Sequence, residues 1–225
     1  MKRRWYERQI SLLGVAAVIV MALVVASCYP GDVTSAQQLD TVVTQYDTEY
    51  NFSKNGTYAM PDVVIHVCEI DELDPPSDCI DLGHDHDQLM LNLVVSNMND
   101  LGYTRIPFDQ ITEANKPDVA VVIWAIGTNN WQAWVNYWPG WGWCCGPGWG
   151  WYYPPTVSVT NYQTGTIHVE MADTNLVPPD GSEALVIEWT GTLNGLLSSS
   201  SNTSQRVTDG INQMFTQSQY LNSGN

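Results

Sequence analysis

Val119-Ala120-Val121-Val122-Ile123-Trp124-Ala125-Ile126 decides the fold. Every residue in it is apolar, and five of the eight are β-branched. Such side chains lose rotamer freedom in a helix but pack well on a pleated surface. The run is too short for a buried helix, so it reads as a central strand covered on both faces. Two later stretches read as further strands. Thr166-Ile167-His168-Val169-Glu170-Met171 alternates in polarity. So does the stretch from Leu185 to Leu193, with Leu185, Ile187, Trp189 and Leu193 on one side and Glu188, Thr190 and Thr192 on the other. Alternation of period two predicts strands with one apolar face and one wet face. On that reading His168 and Glu170 form a surface ion pair.

From Asp87 the period turns helical. Met90, Val94, Met98 and Leu101 share one stripe, flanked by Leu91 and Leu93. Asp87 is the expected N-cap and Gly102 the expected stop. Near the C-terminus, Val207, Ile211, Met214 and Phe215 fall at i, i+4, i+7 and i+8. They predict an amphipathic helix capped by Thr203 or Ser204. Upstream, Tyr50, Phe52, Tyr58 and Met60 alternate with polar residues around Gly56 and predict an entry strand with a bend. Val63 to Val67 predicts a second short strand. The expected class is α+β in two layers: a small, mostly antiparallel sheet packed by two amphipathic helices, with a Trp- and Gly-rich loop inserted.

The N-terminus has a different logic. Lys2, Arg3, Arg4 and Arg8 stand against Glu7, and Ile10 to Val25 is apolar apart from Ser11 and Gly14. Small Ala26 and Ser27 then precede Cys28, and Tyr29-Pro30-Gly31-Asp32 ends the pattern. A basic segment, an apolar segment and small residues before a cleavage point are the layout of a secretory signal. An uncut helix is the alternative, but the run only borders the about 20 residues that a span needs. Such a helix also has no use for small residues ahead of a cysteine. A cysteine at this place resembles the lipobox of bacterial lipoproteins, which turns spanning into anchoring through an acylated Cys28. Tyr29, rather than Asp, after that cysteine points by resemblance to enteric bacteria to the outer membrane of the cell envelope. The expected organisation is a signal over 1–27, a Ser-, Thr-, Gln- and Asp-bearing tether over 28–45, and a single domain over 46–221 with an aromatic insertion at 129–156.

Charge narrows the partners. Residues 28–225 hold 23 acids and four bases (Lys54, Arg105, Lys116 and Arg206), a formal charge of −19. Nucleic-acid binding needs Lys and Arg on phosphates, so it is excluded as a function class. Electrostatic docking on anionic lipid is disfavoured for the same reason. Four cysteines follow Cys28. An exported chain can hold disulfides, and Cys68–Cys79 is the expected pair, closing a short acidic loop that contains Pro75 and Pro76. Cys144 and Cys145 are adjacent, and either bond to each other or stay reduced. No Cys-x-x-Cys spacing supports a thiolate zinc site.

Several short words, taken in order, are similar to the family of bacterial lipoproteins grouped as domain of unknown function 4136. They are Tyr50-Asn51-Phe52-Ser53-Lys54 followed by Thr57-Tyr58-Ala59; Leu101-Gly102-Tyr103 before Lys116-Pro117-Asp118-Val119; Tyr162 with Gly165-Thr166-Ile167; Met171 with Asp173; and Glu188-Trp189 with Gly191. The resemblance spans roughly residues 45–220, with the acidic loop 68–87 as a departure. It implies a lipoprotein fold, and with no activity assigned to the family it supplies no catalytic residues to carry over. Gly165 and Gly191 read as bulge or close-approach positions, and Trp189 as core.

Three features bear on function. Trp131, Trp134, Trp138, Trp141, Trp143, Trp149 and Trp151 lie in a segment interleaved with Gly and Pro, and no Asp, Glu, Lys or Arg occurs between Val119 and Val169. Such rings either pack on one another over a sheet edge or present an apolar patch to a membrane, a glycan or an envelope protein. His84, Asp85, His86 and Asp87 have donor types that suit a divalent metal, or form a solvated loop leading into a helix. His168 and Glu170 share a strand face and are the one acid/base pair, but Gly-x-Ser-x-Gly and His-Glu-x-x-His are both absent. The expectation is a non-enzymatic binding or structural module without a cofactor. The alternative is an enzyme using a metal at His84 and His86, or His168 with Glu170.

Overall fold

Eight strands and two long helices lie among the described residues of this computed structural model, namely 40–69, 79–127, 151–152, 165–179, 181, 184–194 and 202–223. In chain order the strands are β1 (Thr41–Tyr46), β2 (Thr57–Ala59), β3 (Ile65–His66), β4 (Thr104–Arg105), β5 (Val119–Ile126), β6 (Trp151–Tyr152), β7 (Thr166–Asp173) and β8 (Leu185–Asn194). The helices are α1 (Asp87–Asp100) and α2 (Thr203–Thr216). The sheet is ordered β1-β8-β7-β5-β2-β4, with β3 added beside β5 and β6 beside β8. The Val119–Ile126 run is the strand β5, and all of it is buried.

The chain is α+β, but the sheet is mixed rather than mostly antiparallel. β1, β8, β7 and β5 pair antiparallel in succession. β2 and β3 run parallel to β5, β4 parallel to β2, and β6 parallel to β8. The reason is connectivity. A hairpin joins only antiparallel neighbours, while parallel ones need a long crossover, usually a helix. α1 lies in the connection between β2 and β4, so both strands enter the sheet in the same direction.

Both helices pack on one face. Val119, Val121, Ile123 and Ala125 of β5, Ile167, Val169 and Met171 of β7, and Trp189 and Leu193 of β8 form one cluster with them. α1 contributes Met90, Leu91, Val94 and Met98, and α2 contributes Val207, Ile211, Met214 and Phe215. Both expected stripes are therefore the buried ones. Each such side chain contributes about 1.5–3 kcal/mol relative to an exposed one. Trp189 is fully buried because its indole N–H donates to Ser218 Oγ at 2.9 Å. Gly191 is a close approach, as expected: a Cβ there would stand 2.8 Å from Trp189 Cη2 and 2.9 Å from Met214 Sδ.

Several local expectations change. β1 begins inside the stretch read as tether and pairs with β8 from Thr41↔Asn194 to Tyr46↔Trp189. The bent entry strand is instead a short 3-10 turn at Phe52–Lys54 followed by β2. The N-cap of α1 is His86, with Asp87 the first helical residue, while Gly102 ends that helix at φ +89°. The N-cap of α2 is Asn202, at φ 80°, rather than Thr203 or Ser204. Cys68 and Cys79 are disulfide-bonded, as expected, with Cα atoms 5.6 Å apart. The largest departure is the supposed wet face. Every residue of β7 is buried, and so is every residue of β8 except Asn194. Alternation reports which residues share a face. It does not report whether that face is covered.

Candidate functional site

The buried second face carries a polar chain. Trp124 Nε1 donates to Glu170 Oε2 at 2.8 Å, and Glu170 Oε1 lies 3.0 Å from His168 Nε2. His168 Nδ1 lies 2.8 Å from Thr192 Oγ1. Glu170 as a carboxylate only accepts, so His168 Nε2–H donates to it and Nδ1 accepts the Thr192 hydroxyl. Carboxylate, imidazole and hydroxyl in series have the connectivity of an activated nucleophile. Yet His168 and Glu170 are both 0% exposed, and Thr192 only 9%. The expected surface ion pair is thus a buried structural network, and β5, β7 and β8 are locked together through it.

A second cluster ties the loop after β1 to the end of the sheet where β5 starts and β7 stops. Tyr50 Oη donates to Asp173 Oδ2 at 2.5 Å and accepts from Asn55 Nδ2 at 2.8 Å. Lys54 Nζ lies 3.1 Å from Asp173 Oδ2 and 4.3 Å above the Tyr50 ring. Asp118 accepts from the backbone N–H of Gly56 and of Thr57, each at 2.9 Å, and from Thr57 Oγ1 at 2.8 Å. Burial alone raises the pKa of Asp118, but these bonds and nearby Lys54 outweigh it and hold the group below its ordinary 3.8. Burial and the bond to Asp173 push Tyr50 far above the usual phenol range. Glu188 is only 2% exposed, and its Oε2 has no hydrogen-bond partner among the described residues. Burial, then the charges of Asp47 and Asp173, push it up to about 8. Tyr50, Lys54, Asp118, Asp173 and Glu188 all belong to the words that carried the family resemblance. Their convergence explains those words as a structural clamp.

The third cluster gathers at the start of α1. His66 Nε2, at the end of β3, lies 3.0 and 3.2 Å from the two oxygens of Asp87. His84 Nδ1 lies 2.7 Å from Asp87 Oδ2, and the two imidazole centroids are 4.1 Å apart. Of the acidic-loop residues singled out in the sequence, His84 and Asp87 meet here, while Asp85 and His86 stand outside the group. His66 was missed. It sits beside an apolar stretch with no spacing to the loop, and only the parallel pairing of β3 with β5 brings it there.

The aromatic segment is described only in part. Trp151 lies in β6, paired with Leu185, and Trp131, Trp134, Trp138, Trp141, Trp143 and Trp149 lie outside the described residues, as do Cys28, Cys144 and Cys145. No helix among the described residues is long and apolar enough to cross a membrane.

These features define an α+β domain with two helices on one face of a mixed sheet and a sealed polar network on the other. Residues 42–218 match the family described as Domain of unknown function (DUF4136), and the chain belongs to that family. A crystal structure of a DUF4136 family protein from Bacteroides thetaiotaomicron VPI-5482 shares the fold, with a TM-score of 0.60 at 24% identity, covering 83% of this chain and 98% of that one. A PelC dodecamer from Paraburkholderia phytofirmans is more distant, with a TM-score of 0.39 at 10% identity over 82% of this chain and 98% of its own. No curated protein matches the chain.

Proposed function

We propose that this chain is a non-enzymatic, lipid-anchored module of the bacterial cell envelope. An acylated Cys28 holds it at the outer membrane, and the tryptophans from Trp131 to Trp151 contact a membrane, a glycan or a protein partner. The observation that carries the non-enzymatic reading is the burial of Glu170, His168 and Thr192, which among the described residues have the connectivity of an acid–base–nucleophile series. The anchor reading rests on the signal ending at Cys28 and on the charge of −19 from that residue onward, which leaves little to hold the domain at an anionic surface. Arg206 fits this reading. It is one of those four bases, and its guanidinium grips the Asp40 carboxylate through Nε at 2.7 Å and through Nη2, just before β1. Twelve residue-to-residue steps lead from Cys28 to that fixed point. Their fully extended reach is about 40 Å, enough to leave the domain clear of the headgroups.

The test is metabolic labelling with an alkynyl fatty acid followed by envelope fractionation. Wild type labels and sediments with the outer membrane, while Cys28→Ala does neither. A Cys28→Ala chain that still sediments with the outer membrane overturns the anchor. Serine at all seven tryptophans from Trp131 to Trp151 abolishes binding to liposomes or to co-purifying partners. Unchanged binding in both assays overturns the contact role.

A further inference from the structure

Two imidazoles and one carboxylate from different parts of the chain converge beside α1. We infer that His66, His84 and Asp87 form a binding site for a divalent transition-metal ion of the zinc type. The inference is independent of the anchoring proposal. All three donor atoms lie within 4.8 Å of one another. Ligands around a tetrahedral zinc with bonds of about 2.0–2.1 Å stand roughly 3.3 Å apart. The separations of 2.7 to 3.2 Å between imidazole nitrogens and Asp87 oxygens are close to that. The two imidazole nitrogens stand within 4.8 Å of each other, so seating one ion between them and the carboxylate draws them together by up to about 1.5 Å.

The surroundings have the form of a built site. The His66 side chain is 4% exposed and that of His84 is 58% exposed. One ligand is therefore a fixed wall, and the other stands at the mouth, through which an ion enters. His84 turns to the carboxylate although solvent is available to it. Each donor is also held by its own scaffold. His66 is fixed by β3 pairing with β5, opposite Ala125. Asp87 is the first residue of α1, where a carboxylate suits the helix N-terminus. The segment leading to His84 is pinned twice: by the Cys68–Cys79 disulfide and by Ile80 N–H donating to Gly127 O at 2.9 Å. Gly127 is required for this, since a Cβ there would stand 2.2 Å from Ile80 O. The disulfide thus joins the end of β3, which carries one imidazole, to the segment that carries the other. Donors placed this way lose little freedom on binding.

The donor chemistry selects the ion. Calcium and magnesium take oxygen ligands, whereas two imidazoles with one carboxylate suit zinc, cobalt, nickel or copper. Three protein donors leave a fourth position for water. The negative charge of the domain raises the local concentration of cations.

The full-length chain in detergent, equilibrated with zinc alone and dialysed, tests this by metal analysis, with a cobalt titration read by visible absorption. Wild type retains about one zinc per chain, and His84→Ala weakens binding by at least about tenfold, the least that loss of even an outer-sphere partner costs. His86→Ala, a change of the neighbouring imidazole outside the group, binds as wild type. His66→Asn probes the buried ligand. Should it melt early, the more accessible His84→Ala and Asp87→Asn decide whether the site binds the ion. Sub-stoichiometric zinc in wild type overturns the inference, as does a His84→Ala chain that binds as tightly as wild type or a His86→Ala chain that loses the metal.

Discussion

Glu170→Leu separates a buried network from a surface ion pair. The carboxylate accepts from Trp124 Nε1 at 2.8 Å and from His168 Nε2 at 3.0 Å, with neither His168 nor Glu170 exposed. Leucine fills much of the volume but accepts nothing, so two buried donors lose a partner. Each stranded donor costs about 1–3 kcal/mol, so the two together cost about 2–6 kcal/mol. For a domain of this size each kcal/mol moves the Tm by about 2–4 °C, so the melt falls by about 4–24 °C. Glu170→Gln behaves differently. Its amide oxygen accepts the Trp124 indole N–H, and its NH₂ donates to His168 once that ring moves its proton to Nδ1 and donates to Thr192 Oγ1. That variant loses less than about 1.5 kcal/mol, near the net value of one hydrogen bond. Urea unfolding followed by circular dichroism and tryptophan fluorescence measures both. An exposed pair contributes only about 0–1 kcal/mol. A Glu170→Leu chain within about 1 kcal/mol of wild type, the surface-pair limit, would falsify the sealed network.

Three further outcomes follow from the structure. Replacing Cys68 and Cys79 together by serine opens a loop with a sequence separation of 11. It lowers stability by about 3 kcal/mol and the Tm by about 6–12 °C, and a drop under about 2 °C refutes the disulfide as a staple. Glu188, held up at about 8 against an ordinary 4.5, keeps a proton in the folded chain that the unfolded chain has already released between those values. Unfolding free energy therefore falls as pH rises from about 4.5 to about 8 and levels off above, and Glu188→Gln flattens that slope. Parallel slopes for the two chains in urea melts at pH 5 and pH 8 contradict the assignment. Asp118→Ala strands three donors at Gly56 and Thr57 and costs about 2–4 kcal/mol. Because the Asp118 pKa is depressed in the fold, its contribution is present above the ordinary 3.8 and is lost as pH falls through the lower folded value. The alanine chain accordingly loses less stability than wild type on acidification, and an equal loss counts against the clamp.

Where a signal was local, it was legible in the chain. The Val119–Ile126 run, the stripe Met90-Val94-Met98 and the stripe Val207-Ile211-Met214-Phe215 each depend only on neighbours within a few residues, and each emerged as the expected element with those residues buried. The disulfide was legible because its two cysteines close one short loop. Strand direction was not, since β2, β3 and β4 are two or three residues long and carry no register signal of their own. Helix caps slipped by a residue or two for a similar reason: the choice among His86, Asp87, Asn202 and Thr203 turns on backbone angles that side-chain preference only biases. His66 was illegible as a site residue, because nothing in Val64-Ile65-His66-Val67 distinguishes an imidazole aimed at Asp87 from one that merely fills space.

The sequence by itself determined the class of fold, both helical faces, the central strand and the disulfide. All of these follow from periodicity, composition or charge, which are properties of the chain alone. Only the tertiary structure decided that the sheet is mixed, that His168 and Glu170 are sealed, and that His66 joins His84 and Asp87. Each of those depends on which distant segment lies alongside. Burial and convergence are properties of pairs of segments, and residue pattern within one segment carries no record of its partner.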